Sequence, residues 1–239
     1  TGARGYRWVG PRAAPYPCAV EVIAPGPAGH APDRPRLRGR IHRVAFWTFP
    51  VVGALVVADA PDWSHRWPAL VFVVGMTGVF AVSSTFHLGQ WSGVSYLRMR
   101  RLDHSMNAVA IAAGYTPFLA YLFSGSARTA LLVGYWALAI AVVGSRVLWI
   151  NAPPKAAAAS FLTLGWLGVL LLPAVARRID PADLVLAFVA AGLFSVGAAI
   201  YALERPDPWP RTFGYHEVFH LLALGGQVLL LFVVWRQFP

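Results

Sequence analysis

From about residue 40 onward, stretches of about 20 mostly apolar residues alternate with short polar breaks along the chain. An α-helix of about 20 residues crosses a hydrocarbon core of about 30 Å. The stretches do not alternate apolar with polar residues, as the strands of a membrane β-barrel do. The pattern therefore predicts an all-α integral membrane protein, a bundle of seven transmembrane helices. Their approximate bounds are 41–58, 67–88, 102–122, 130–150, 156–175, 182–203 and 215–235.

The composition of the chain agrees with a bilayer as its solvent. Of the 239 residues, 57% are hydrophobic and 13% are charged, whereas soluble domains carry about 25% charged residues. An ordinary cytosolic domain and a disordered protein are both excluded on this basis. The single cysteine, Cys18, excludes an intrachain disulfide and a thiolate-rich metal site, so that any metal needs His, Asp or Glu ligands.

The segment before the first apolar stretch, residues 1–38, is rich in Pro, Gly, Ala and Arg and has no sustained apolar run. It lacks the compact apolar region of a signal peptide. We expect a flexible cytoplasmic tail here, followed by one seven-transmembrane domain over residues 39–239.

The distribution of basic residues predicts the orientation of the chain in the membrane. Lys and Arg outnumber Asp and Glu by 20 to 10, and basic residues in short loops prefer the cytoplasm. An inside N-terminus places more of them, the tail included, on the cytoplasmic side. Beyond the tail these are Arg98, Arg100, Arg101, Arg146, Lys155, Arg205 and Arg211. We predict a multi-pass protein of the plasma membrane, with its N-terminus inside and its C-terminus outside, and no nucleic-acid partner.

Ionisable residues within the apolar stretches are the candidates for function, because charge in a membrane is costly. His216 and His220 lie one helical turn apart on the last stretch, a spacing that lets two imidazoles share one Zn²⁺. The alternative is a pair of interfacial histidines. With the predicted orientation, His87 and Asp103 reach the same cytoplasmic depth as His216. The sequence therefore favours a metal site formed by these groups.

Three further residues are expected beside this site. Glu217 completes a His-Glu-x-x-His pattern, which in soluble zinc metalloproteases supplies the general base. In a membrane helix we favour for it a supporting role next to the ligands or in the first helical turn. His104 lies about 100° around its helix from Asp103, so that packing or hydrogen bonding is favoured over metal binding. Ser83 is one turn before His87 on the same face.

Three separated motifs agree in order and spacing with those of a known family. They are Ser83-Ser-Thr-Phe-His87, then Arg101-Leu-Asp-His-Ser105 leading into Tyr115-Thr-Pro-Phe118, and Gly214-Tyr-His-Glu-Val-Phe-His220. The chain thus resembles the hemolysin III family, within the superfamily of progesterone and adipoQ (adiponectin) receptors. The resemblance implies a zinc ion near the cytoplasmic end of the bundle. Its ligands would be His87, His216 and His220, with Asp103 holding a zinc-bound water and Ser83 as the motif serine.

Three function classes follow from this reading. Three protein ligands leave the fourth position of zinc to water, as in catalytic sites, and a carboxylate such as Asp103 can take the proton of that water. The related alkaline ceramidases suggest a hydrolase of lipid amides or related lipids. The alternatives are a receptor or lipid-homeostasis regulator with structural zinc, and a pore-forming cytolysin, as the family name implies. The expected partners are membrane lipids and a lipid-like substrate or ligand; the sequence indicates no particular oligomeric state.

Overall fold

The computed structural model describes residues 35–239, and this part of the chain is helical with no β-strand. Most of the predicted tail, including Cys18, lies outside the described residues. A 3₁₀ turn, Leu167–Leu171, joins the fifth and sixth helices. The helices of residues 35–239 are α1 (Arg40–Asp59), α2 (Trp63–Leu88), α3 (Gly93–Leu122), α4 (Gly125–Leu148), α5 (Pro154–Trp166), α6 (Leu172–Val175), α7 (Pro181–Leu203) and α8 (Tyr215–Arg236).

Six helical segments of the described chain are long and apolar enough to cross a membrane. They are α1, α2, α4, the continuous unit Pro154–Val175, α7 and α8. This confirms the prediction of an all-α membrane protein. The helix outside this group, α3, carries Arg98, Arg100 and Arg101 in its N-terminal half. With 30 residues it is about 45 Å long, whereas the hydrocarbon core is about 30 Å thick. If the apolar part of α3 lies in the core, its charged N-terminal part extends beyond it.

The start of α3 differs from the sequence prediction, which places the third stretch at residues 102–122. The helix begins instead at Gly93. The backbone N–H of Ser92 donates to the Ser95 hydroxyl at 3.3 Å, a local contact that favours helix initiation. Arg, Leu and Met are also good helix formers. Hydropathy therefore located the apolar part of this helix but not its beginning.

Large apolar side chains cover the outer surface of the bundle. Val51 and Leu55 of α1, Val133 and Ile140 of α4, and Val185 of α7 are all more than 60% exposed. In a soluble monomer such a continuous apolar surface is rare. The exposed faces are those expected to contact lipid acyl chains.

Small residues and a cluster of aromatic side chains bring α1, α2, α3 and α8 together. A Cβ added at Gly75 of α2 would overlap the Cβ of Ala113 on α3, so the two helices are in close backbone approach. The core cluster of α1, α2 and α8 includes Phe49, Phe72, Met76, Phe80 and Leu231. This packing fixes the helix ends that carry the histidines relative to one another.

The 3₁₀ turn between α5 and α6 interrupts the regular hydrogen-bond ladder in the middle of a span. Two tyrosines from neighbouring helices contact carbonyl groups in the last turn of α5, directly before the 3₁₀ turn: Tyr135 donates to Leu164 O at 2.5 Å, and Tyr115 donates to Gly165 O. Their rings stack with centroids 4.2 Å apart. Because lipid offers no hydrogen bonds to backbone groups, such donors stabilise an irregular segment within the membrane.

Candidate metal centre and its cavity

Three histidines from two helices meet at one end of the bundle. His87 lies at the C-terminal end of α2, and His216 and His220 lie in the first two turns of α8. Their ligand nitrogens all lie within 4.8 Å of one another. The Nε2 atoms of His87 and His216 are 3.1 Å apart, and the ring centroids of His216 and His220 are 4.4 Å apart. The structure thus brings together the three histidines that the sequence singled out.

The environment of His220 fits a metal ligand. The residue is 7% exposed, and neither ring nitrogen has a hydrogen-bond partner within residues 35–239. A buried polar group without a partner costs free energy, and so such groups are rare. Three imidazoles that converge in this way form a donor set suited to zinc and other borderline metal ions. The three histidines can therefore hold a metal ion.

Asp103 and Ser83 line the same cavity as the three histidines. Ser83 is 3% exposed, and its hydroxyl lies beside the Asp103 carboxyl, within reach of a hydrogen bond. Asp103 reaches the cavity from α3 but does not belong to the group of three nitrogen ligands. Its place beside the group, rather than within it, suits an acid or base better than a direct ligand.

Glu217 is fully engaged in contacts that fix the start of α8. It is 1% exposed, and its Oε1 accepts a hydrogen bond from Arg38 Nε at 2.5 Å. Its Oε2 accepts from the backbone N–H of Gly214 at 2.8 Å. This second contact satisfies one of the amide groups that a helix N-terminus leaves unpaired. With both carboxylate oxygens engaged, Glu217 supports the helix that carries two of the histidines.

His104 also lines the cavity, but it is outside the group of three histidines. Its neighbours include two cationic side chains, Arg100 of α3 and Arg146 of α4, which are close enough to interact with it electrostatically. Arg146 is buried, with 4% of its surface exposed. The surroundings of His104 are therefore those of a second polar group beside the site.

A fourth histidine, which sequence reasoning missed, contacts the group. His42 of α1 is 4% exposed, and its ring centroid lies 4.0 Å from that of His220. Its Nδ1 has no partner within the described part of the chain. The sequence signal was only a histidine between Arg40 and Arg43 at the start of an apolar stretch, a pattern typical of the membrane interface.

A cavity of about 580 Å³ extends from the histidines into the bundle. Most of its wall comes from α3, α5, α7 and α8, with further residues from α1 and α2, and it reaches Val175 and Leu184 at the far end. On α8 the lining runs from His216 to Leu230, a helical distance of about 21 Å. Apart from the end near the histidines, the lining is predominantly apolar. Its volume is in the range of small-molecule sites.

Comparison with known proteins agrees with the sequence motifs. The family model described as Haemolysin-III related matches residues 31–231. The chain is 29% identical over 182 residues to the Hemolysin-3 homolog of Bacillus subtilis (strain 168), covering 75% of this chain and 82% of that relative. It is 33% identical over 197 residues to the Heptahelical transmembrane protein ADIPOR2 of Oryza sativa subsp. japonica, covering 72% and 84%. The chain is therefore a multi-pass membrane protein that belongs to the hemolysin III family, with relatives among the adiponectin receptor-like proteins.

Proposed function

We propose that this protein is a zinc-dependent hydrolase of lipid amides or related lipids. The observation that carries the proposal is the position of His87, His216 and His220 at one end of a long apolar cavity. An acyl chain suits the apolar part of such a cavity. A lipid bound in this way would present its amide or ester carbonyl to the histidine end.

The residues around the histidines suit hydrolysis. A bound zinc ion would supply Lewis acidity for the carbonyl and lower the pKa of water. Asp103 would take the proton of the attacking water and later return it to the leaving group. Ser83, whose buried hydroxyl lies beside the Asp103 carboxyl, would donate a hydrogen bond that orients this carboxylate. Glu217 and Arg38 would keep α8 in place during the reaction.

The proposed topology has seven crossings, with the N-terminus and the metal centre on the cytoplasmic side of the plasma membrane. It requires α3 to cross together with the six apolar segments. The name of the rice relative describes that protein as heptahelical, and the basic residues of this chain favour an inside N-terminus.

The placement of the polar groups favours an enzyme over a pore. A conducting pore needs polar or wettable lining along its full length. The charged and imidazole side chains of this cavity lie near the histidines, and the few polar side chains deeper in it, such as Gln227 and Ser195, are uncharged. A receptor with structural zinc would need the three histidines but would place no demand on Asp103. Asp103 is therefore the residue that distinguishes the two remaining functions.

Substitution of Asp103 tests the proposal. Asp103→Asn should keep the fold and the metal but lower lipid hydrolysis by about 10²–10⁴-fold, because the amide is nearly isosteric and a poor base. The measurement is turnover of ceramides, acyl amides and phospholipids by purified protein, with metal content determined on the same samples. Asp62→Asn, an exposed carboxylate that caps α2 at the opposite end, is the matched control. Wild-type turnover in Asp103→Asn together with its loss in a Glu217→Gln protein that keeps the fold and the metal would assign the base to Glu217.

A further inference from the structure

His42 is a buried imidazole that belongs to neither the predicted ligands nor the proposed catalytic groups. It lies in the first turn of α1 and lines the cavity at the histidine end. Its ring packs edge-on against His220, with centroids 4.0 Å apart and planes at 64°, and against Phe80 at 5.2 Å. Its Nδ1 is buried and has no hydrogen-bond partner within residues 35–239.

The contact with His220 is important because a metal-binding imidazole normally requires a second partner. One ring nitrogen binds the ion, and the other normally holds a hydrogen bond that fixes the tautomer and the ring orientation. Both ring nitrogens of His220 lack a partner within the described chain, so that one of them remains to be satisfied when the other binds metal. Within residues 35–239, the imidazoles of His87, His216 and His42 contact that of His220. Of these, His42 is not one of the three predicted ligands.

We propose that His42 is a positioning residue of the metal centre. When His220 binds the ion, the Nδ1 of His42 becomes the hydrogen-bond partner of the other His220 nitrogen, and its ring holds His220 in the metal-binding orientation. This inference rests on the proposed function, since it assumes that the three histidines bind zinc.

The segment before His42 is fixed to the site by contacts of its own. Leu37 N donates to Thr212 O at 3.0 Å, and Arg38 pairs with Glu217. Gly39, with a φ of 76°, directly precedes α1 and packs closely against α2. A Cβ at this position would lie 2.8 Å from the Cβ of His87. The start of α1 is thereby held to both helices that carry ligands. Such support from surrounding contacts is what a residue needs in order to orient another.

Two substitutions at position 42 separate a hydrogen-bonding role from simple packing. His42→Phe keeps an aromatic ring next to His220 and Phe80 but has no nitrogen. His42→Asn removes most of the ring but places a polar atom close to the position of Nδ1. His65→Phe is the matched control, since His65 lies at the start of α2, about 33 Å along that helix from His87.

The experiment measures zinc affinity by chelator competition, and the visible absorption of bound Co²⁺, on full-length protein in detergent. We expect His42→Phe to weaken zinc binding by about 10–100-fold and to change the Co²⁺ spectrum, whereas His42→Asn recovers much of both and His65→Phe changes neither. Unchanged affinity and spectrum in His42→Phe would overturn the role of His42 and leave the proposed zinc site intact. A larger loss in His42→Asn than in His42→Phe would also overturn it, in favour of packing. A wild-type chain that binds no zinc would overturn both proposals.

Discussion

His220 is the buried member of the three histidines, and His87 and His216 are half-buried. A buried ligand is the hardest of the three for water to replace, so its removal should affect metal binding most directly. We expect wild-type protein to hold about one zinc per chain, and His220→Ala to lose most of that zinc together with the thermal stabilisation it provides.

The measurement is metal content and melting temperature of the purified variants, with and without added zinc. His65→Ala, which removes a histidine at the other end of α2, should behave as the wild type does. Full zinc occupancy in His220→Ala would exclude His220 as a ligand.

The ion pair of Arg38 with Glu217 leads to a prediction about the stability of the fold. Arg38→Met leaves the Glu217 carboxylate buried without a counter-charge, a change that typically costs about 3–5 kcal/mol. Denaturation in detergent should therefore show a clearly lower stability for this variant. Arg36→Met is the control, because the side chain of Arg36 is exposed and its hydrogen bond to Arg211 O is donated by the backbone N–H. Equal stability of the two variants would show that the pair contributes little.

Some of these residues were predictable from the sequence and others were not. His87, His216 and His220 stood out because each is an ionisable group at the edge of an apolar stretch. Arg38 lies within a run of basic residues that suggests a solvated segment. His42 begins an apolar stretch, but its position between Arg40 and Arg43 is typical of the membrane interface. Their contacts with α8 join positions that are far apart in the chain, Arg38 and Glu217 being separated by 179 residues. Such pairings depend on how α1 docks, which no local pattern encodes.

At the scale of helices, hydropathy located the apolar spans well but gave less information about their internal geometry. The start of α3 lies nine residues before its predicted position, as Gly93 against residue 102, because charged helix formers continue it outside the apolar part. The 3₁₀ turn Leu167–Leu171 is as apolar as the helices on either side. Its stabilisation by Tyr115 and Tyr135 is a tertiary effect, and the sequence therefore predicted a continuous span.

The close approach of α2 and α3 leads to a prediction on helix packing. Gly75→Ala places a Cβ against Ala113, and overpacking of this kind typically costs about 1–3 kcal/mol. Gly134→Ala on α4 is the matched control, since no atom lies within 4 Å of a Cβ added there. In that open position the same change should raise stability by about 0.5–1 kcal/mol, because alanine favours a helix over glycine. Thermal melts of both variants test the contrast, and a stabilising Gly75→Ala would contradict the close contact.

At the scale of the whole molecule, the cavity is the feature that sequence reasoning did not predict. Residues of α2, α3, α5, α7 and α8 line it, so that its volume is the space that these helices leave between them. The order of polar and apolar residues predicts which faces turn inward. It does not predict how far apart two inward faces remain, because that distance depends on the packing of every helix in the bundle.

The contacts between helix ends support seven crossings. His87 ends α2 and His216 begins α8, yet their Nε2 atoms are 3.1 Å apart. The proposed topology therefore has the chain between them cross the bilayer an even number of times, with α3 crossing in addition to α4, the unit Pro154–Val175 and α7. At the opposite end, Trp235 Nε1 donates to Asp59 Oδ2 at 2.6 Å, so that the end of α8 meets the end of α1. The two ends of residues 35–239 thus lie at opposite ends of the bundle.

Reporter fusions test this topology and its orientation together. With the metal centre on the cytoplasmic side, a periplasmic or extracellular reporter such as alkaline phosphatase should be active when fused after Pro239, and a fluorescent protein that matures in the cytoplasm should be dark there. Fusions after Arg205, which follows one crossing fewer, should give the reverse pattern and serve as the matched control.

If α3 does not cross, both fusion sites change sides relative to the N-terminus. A fluorescent fusion at Pro239 with an inactive phosphatase at the same position would therefore contradict either the count of seven or the inside N-terminus. A tag placed before residue 35, tested for access from outside the cell, then identifies which of the two is wrong.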